Sequence, residues 1–262
     1  MRATVNGIQL AYTDEGEGVP LVFVHGFPLN RGTWSKQVDA FKTSRRVIAP
    51  DLRGLGESEA SAGPVTMSRF AEDLYELLKH LGTGPVILVG HSMGGYVALA
   101  FAKAYSQTLQ GLVLVGTKAG ADTPEAAAAR RATAEKVRAA GASVVVNAMA
   151  PKMLSASNTD VAMAAAVRGF MAPSKPEGII GALLGMAERP DAGAWLGKIR
   201  VPTLVISGTD DTIIPPSESG ILAKAIPGAQ LKFIPGAGHL VAFEQAEAFN
   251  TALGEWLKFN GI

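Results

Sequence analysis

Apolar residues along the chain gather into short runs separated by longer stretches of helical spacing. The runs are Ala3–Val5, Ile8–Tyr12, Leu21–Val24, Val47–Ala49, Val86–Val89, Leu112–Val115, Leu204–Ser207 and Leu231–Ile234. From Leu21 onward they are rich in Val, Ile and Leu, Lys232 in the last being the one charged residue, a composition that predicts strands buried on both faces. Asn6-Gly7, between the first two runs, is a hairpin signal, so the sheet should open antiparallel. Helical spacing over Phe70–Leu81, Tyr96–Tyr105 and Glu244–Phe259 alternates with the runs. That alternation predicts an α/β fold, a largely parallel sheet covered by helices.

The alternation stops between about Lys118 and Lys198, in a stretch rich in Ala, Met, Arg and Gly. Thr123-Pro124-Glu125 reads as a helix start and Gly141 as its stop, with further helices over Asp160–Met171 and Pro176–Ala187. Strands resume at Val201-Pro202-Thr203. The chain therefore divides into a core of residues 1–117 and 199–262, interrupted by a helical insertion, 118–198.

Composition narrows the function classes. A chain of 262 residues, 48% hydrophobic and 18% charged, has enough apolar material for one sizeable core. A net charge of +1 with no long basic cluster points away from nucleic acid and anionic membranes. With no cysteine, a disulfide framework, a thiolate nucleophile and a thiolate metal site are all excluded. Residues 1–7 lack the apolar core of a signal peptide. The most apolar run, Pro85–Val89, is broken by Gly90, His91 and Ser92, far short of the ~20 residues a membrane span needs. The expectation is a soluble, cytoplasmic protein.

Gly90-His91-Ser92-Met93-Gly94 matches the G-x-S-x-G nucleophile elbow, in which a serine sits on a sharp strand-to-helix turn. Alone the motif is weak in a chain with 30 glycines. Its setting strengthens it, because a strand run precedes it and a helical pattern follows. The helix would aim its N-terminal N–H groups at negative charge developing near Ser92.

A serine nucleophile needs a base, and four histidines are available: His25, His80, His91 and His239. His80 ends a helical pattern and reads as solvated. His91 adjoins Ser92 but should point away from its Oγ, which suits packing. His239 follows the last strand in Pro235-Gly236-Ala237-Gly238-His239, a loop that holds the imidazole clear of the sheet. An acid must orient that imidazole, and Asp210 and Asp211 compete for the role after the strand Leu204–Ser207. The oxyanion hole should use the N–H after the nucleophile, Met93, and one from the loop after an early strand, Phe27. His25 should brace that loop.

Together these segments resemble the α/β-hydrolase superfamily over essentially the whole chain. The resemblance rests on His25-Gly26, Asp51-Leu52-Arg53-Gly54-Leu55-Gly56-Glu57-Ser58, Gly90–Gly94, Gly208-x-x-Asp211-x-x-x-Pro215 and Gly238-His239, in the family's order. It implies an α/β-hydrolase fold with a mostly parallel eight-stranded sheet and a helical cap inserted after strand six. It also selects the acid three residues after Gly208, making the catalytic set Ser92, Asp211 and His239. Asp210 is then left as a turn residue bonding local backbone. Asp51, Arg53, Gly54 and Gly56 resemble a structural turn.

Gly-His-Ser-Met-Gly-Gly and His-Gly-Phe-Pro-Leu-Asn are similar to small bacterial carboxylesterases, 3-oxoadipate enol-lactonases and cofactor-free haloperoxidases. The implied activity is hydrolysis of small to medium, partly apolar esters through an acyl-enzyme, falling as pH drops through the imidazole range. Lactonase or perhydrolase chemistry with the same triad is the alternative, followed by a carbon–carbon hydrolase or a non-catalytic receptor. No cofactor or metal is expected, and the partner is a small-molecule ester, with room for a homo-oligomer. Met149, Met153, Met163, Met171, Met186 and Trp195 could wall a pocket between elbow and cap, although methionine at helical spacing is more often core.

Overall fold

The computed structural model describes residues 1–262. The strands are β1 (Arg2–Val5), β2 (Ile8–Glu15), β3 (Pro20–Val24), β4 (Arg46–Pro50), β5 (Val86–His91), β6 (Leu109–Val115), β7 (Thr203–Gly208) and β8 (Gln230–Ile234). They form one sheet in the order β1-β2-β4-β3-β5-β6-β7-β8. β1 pairs antiparallel with β2 around the Asn6-Gly7 turn, and β2 pairs antiparallel with β4. From β3 to β8 every pairing is parallel. This is the α/β-hydrolase arrangement that the resemblance implies.

The helices are α1 (Ser35–Phe41), α2 (Met67–His80), α3 (Met93–Ala104), α4 (Pro124–Ala140), α5 (Ser143–Met149), α6 (Val161–Met171), α7 (Pro176–Ala187), α8 (Gly193–Leu196), α9 (Pro216–Ala225), α10 (Val241–Glu244) and α11 (Ala246–Asn260). Helices α4 to α8 all lie between β6 and β7. Thr123 caps α4 by accepting from the Ala126 N–H, and Gly141 ends it at φ 81°. Asp160 caps α6 in the same way through the Met163 N–H. None of the helices is long and apolar enough to cross a membrane.

The pleat explains the unbroken apolar runs. Val22 and Val24 of β3 join Ile48, Leu88, Leu112 and Val205 in a core beneath α2 and α3. Leu21 and Phe23 point the other way, joining Val47, Ile87, Val113 and Leu204 beneath α1 and α11. Both faces are covered, so both sets of alternate positions must be apolar, each such side chain contributing roughly 1.5–3 kcal/mol by leaving water.

Several elements depart from the sequence reading. β8 is an edge strand and mostly exposed, with Leu231 at 39% and Phe233 at 40%, so its apolar run does not mean burial on two faces. Helix α2 begins at Met67 rather than Phe70 because Thr66 caps it through the Arg69 N–H. Helix α3 begins at Met93, immediately after Ser92, not at Tyr96. The predicted Glu244–Phe259 helix is two helices broken at Gln245, whose φ of −119° and ψ of 57° interrupt the spiral. Helices α1, α5 and α9 are too short or too weakly periodic to stand out in the sequence.

Parallel strands place all their C-terminal ends on one side of the sheet, and loops there converge. The loops after β3, β5, β7 and β8 carry Phe27, Ser92, Asp211 and His239 respectively.

Candidate active site

Ser92 sits between β5 and α3 at φ 54° and ψ −117°, a conformation that side chains with a Cβ rarely adopt. Neighbouring backbone enforces it. A Cβ at position 90 would lie 2.4 Å from the Gly94 carbonyl oxygen, and one at position 94 would lie 2.3 Å from the Val24 oxygen. The Ser92 N–H donates to the Val115 carbonyl at 2.9 Å, and Thr117 Oγ1 donates to the Ser92 carbonyl at 2.8 Å. The turn is pinned at both ends.

The structure brings Ser92, His239 and Asp211 into one hydrogen-bonded chain. His239 Nε2 lies 2.8 Å from Ser92 Oγ, and His239 Nδ1 lies 2.7 Å from Asp211 Oδ2. A carboxylate only accepts, so Nδ1 of the neutral ring carries the proton and Nε2 presents its lone pair to the Ser92 hydroxyl. Asp211 Oδ1 accepts from the N–H groups of Ile213 and Ile214, both at 2.9 Å. All three residues are buried, at 9% exposure for Ser92, 5% for Asp211 and 1% for His239.

Met93 occupies the first turn of α3, where an N–H has no intrahelical acceptor. Phe27 lies in the loop that abuts the elbow: a Cβ on Gly26 would come within 2.8 Å of His91 Nδ1 and 2.9 Å of Ser92 Cβ. His25 braces this loop. The Leu52 N–H donates to its Nε2 at 2.9 Å, which leaves Nδ1–H to donate to the Gly26 carbonyl at 2.9 Å.

Two residues behave differently from the sequence reading. His91 does more than pack, since its Nε2–H donates to the backbone carbonyl of His239 at 2.9 Å. Asp210 does not use its carboxylate on local backbone. Its Oδ2 accepts from Ser155 Oγ in the segment between β6 and β7 at 2.6 Å, and Oδ1 accepts from Thr209 Oγ1 at 2.8 Å. The Ser155 hydroxyl bond leads the causes that hold the Asp210 carboxyl below its ordinary range. Thr117, His91 and Ser155 act across the fold, so no local motif marks them.

A cavity of about 540 Å³ beside α3 is lined by Met67, Tyr96, Leu99, Lys118, Ala119 and Trp195, among others, but Ser92 is not part of its wall. Of the six candidate wall residues only Trp195 lines this space. Met153, Met171 and Met186 are core, at 0%, 0% and 2% exposure.

Residues 19–246 match the alpha/beta hydrolase fold family. The chain belongs to the α/β-hydrolase family. Among solved α/β-hydrolase structures it is similar to a thermophilic esterase from Thermogutta terrifontis with malate bound, at 43% identity and TM-score 0.96 over 99% of both chains. It is also similar to the enol-lactonase from Burkholderia xenovorans LB400, at 29% identity and TM-score 0.91 over 98% of this chain and 100% of that one. A non-heme chloroperoxidase from Kitasatospora aureofaciens is 30% identical over 97% of this chain and 98% of its own length.

Burial lowers the pKa of His25 and pushes that of His91 well below the ordinary value, the latter helped by the neighbouring His239. The Asp51 carboxylate partly offsets the effect at His25. The unfolded chain binds these two protons more readily than the folded chain does, so stability falls as pH falls through the imidazole range. Urea unfolding should show stability falling between about pH 6.5 and 5.5, with His91 contributing more than His25. His91→Gln should remove the larger share of that slope. An unchanged slope would mean that His91 titrates alike in both states.

Proposed function

We propose that this α/β-hydrolase cleaves carboxylic esters, with Ser92 as nucleophile, His239 as general base and acid, and Asp211 as the orienting carboxylate. The observation that carries this reading is the Ser92–His239–Asp211 hydrogen-bond chain at 2.8 and 2.7 Å. Ser92 Oγ attacks the ester carbonyl as His239 Nε2 takes its proton. The oxyanion is held by the Phe27 and Met93 N–H groups, each such donor being worth about 3–4 kcal/mol in the transition state. His239 then protonates the departing alcohol. The same imidazole activates a water that releases the acid from Ser92.

Helices α4 to α8 serve as a cap over this centre, and the partner is a small, partly apolar ester. The 43% identical esterase favours ester over lactone or peroxide chemistry, although either would use the same residues. The test is turnover of p-nitrophenyl acetate, butyrate and octanoate together with labelling by an organophosphonate. Hydrolysis should begin with a burst of one p-nitrophenolate per chain, and the phosphonate should abolish it while adding its mass to Ser92. No turnover and no label would sink the reading.

A further inference from the structure

Glu244 ends α10, five residues after His239, and is 7% exposed. A carboxylate so placed is costly unless hydrogen-bond donors surround it. Its donors here are all neutral. Oε2 accepts from the Gly238 N–H at 2.6 Å, and Oε1 accepts from Asn158 Nδ2 at 2.7 Å. Both oxygens accept from the Ser155 N–H, at 3.0 and 3.1 Å. Gly238 precedes His239 directly, whereas Ser155 and Asn158 belong to the helical segment between β6 and β7. One buried carboxylate therefore joins the histidine loop to that segment.

Its surroundings make the junction tight. The Leu240 N–H donates to the Met153 carbonyl at 2.8 Å, and His91 holds the His239 carbonyl. A Cβ on Gly238 would lie 2.4 Å from Leu154 C and from Ser155 N, so the two backbones run in direct contact. Ser155 also reaches the other loop, through its hydroxyl on Asp210, next to Asp211. The backbone on both sides of His239 is thus held at three points, the Gly238 N–H by Glu244, the His239 carbonyl by His91 and the Leu240 N–H by Met153.

We propose that Glu244 is a positioning residue that sets the distance of His239 from Ser92 by locking the histidine loop to the helical insertion; this rests on the triad assignment above. It touches no reacting atom. It acts through the backbone that carries the imidazole, where a misplacement of about 1 Å can cost about 100-fold in rate.

Glu244→Gln is the informative change, because it keeps size and replaces one acceptor oxygen by a donor. Asn158 cannot simply turn over to accept from it, since its Oδ1 already accepts from the Asp160 N–H at 2.9 Å. Glu244→Gln should lower kcat for p-nitrophenyl butyrate by about 10–100-fold with KM little changed, counted per phosphonate-titrated chain. Glu244→Gln combined with Asn158→Asp restores a donor–acceptor match, with the amide introduced at position 244 now donating to the carboxylate introduced at position 158. The double variant should regain most of the loss. If Glu244→Gln does not fold, Asn158→Ala should give a smaller fall in kcat in the same direction. The low-field proton resonance of the Asp211–His239 hydrogen bond, read without substrate, should shift or broaden in Glu244→Gln. A wild-type kcat per titrated chain with an unmoved resonance, and only a lower Tm, would overturn the proposal. If the wild type cleaves no ester, the esterase reading fails and the resonance alone decides whether Glu244 positions His239.

Discussion

Ser92→Ala is expected to lower kcat for p-nitrophenyl butyrate by about a millionfold while leaving the fold in place. The loss is large because the variant has no atom to form the acyl-enzyme. His239 can then only activate water, and what survives is the contribution of the oxyanion donors and of binding. Stability should change little. Alanine retains the Cβ, so the backbone strain at φ 54° is the same in both proteins. The one native interaction removed is the 2.8 Å bond from Ser92 Oγ to His239 Nε2, worth about 1 kcal/mol net. Steady-state kinetics with matched thermal unfolding checks both halves. Residual activity within tenfold of wild type would remove Ser92 from the mechanism, and a collapsed Tm would mean that the loss is one of folding.

Much of this arrangement is legible in the sequence because it depends on local rules. The parallel strands announce themselves because they are covered on both faces, which makes Leu21–Val24 and Val86–Val89 continuously apolar. Gly90 and Gly94 mark the elbow because backbone lies within 2.4 Å of where their side chains would be. Thr123-Pro124 and Asp160 announce helices through their caps. What escapes is whatever depends on distant chain. The run Leu231–Ile234 carries Lys232 among its apolar residues, a local hint of exposure, and only its place at the end of the sheet explains why Leu231 and Phe233 are exposed as well. The partners of His91, Asp210 and Glu244 lie 148, 55 and 89 residues away at the largest separations. No spacing rule reaches that far. The distinction between Asp210 and Asp211 is intermediate, because spacing and propensity treat two adjacent carboxylates alike and only the family resemblance selects Asp211, the one that meets His239.

That distinction is the basis of the second large effect. Asp211→Asn is expected to lower kcat by about ten-thousandfold, whereas Asp210→Asn should leave it within about tenfold of wild type. The N–H groups of Ile213 and Ile214 both donate to Asp211 Oδ1 at 2.9 Å. They require an acceptor at that position, so the introduced amide must turn its oxygen toward them and its NH₂ toward His239. Facing a donor, His239 Nδ1 becomes the acceptor and the ring proton moves to Nε2. The imidazole then donates to Ser92 Oγ across the 2.8 Å contact instead of accepting from it, and the base is gone although every atom keeps its place. Asp210 instead accepts from the hydroxyls of Ser155 and Thr209, both able to rotate and serve an amide as well. Comparing kcat for the two variants, with the low-field His239 proton as a second readout, tests the assignment directly. Equal losses would show that the pair acts as one unit, and a larger loss at Asp210 would transfer the orienting role to it.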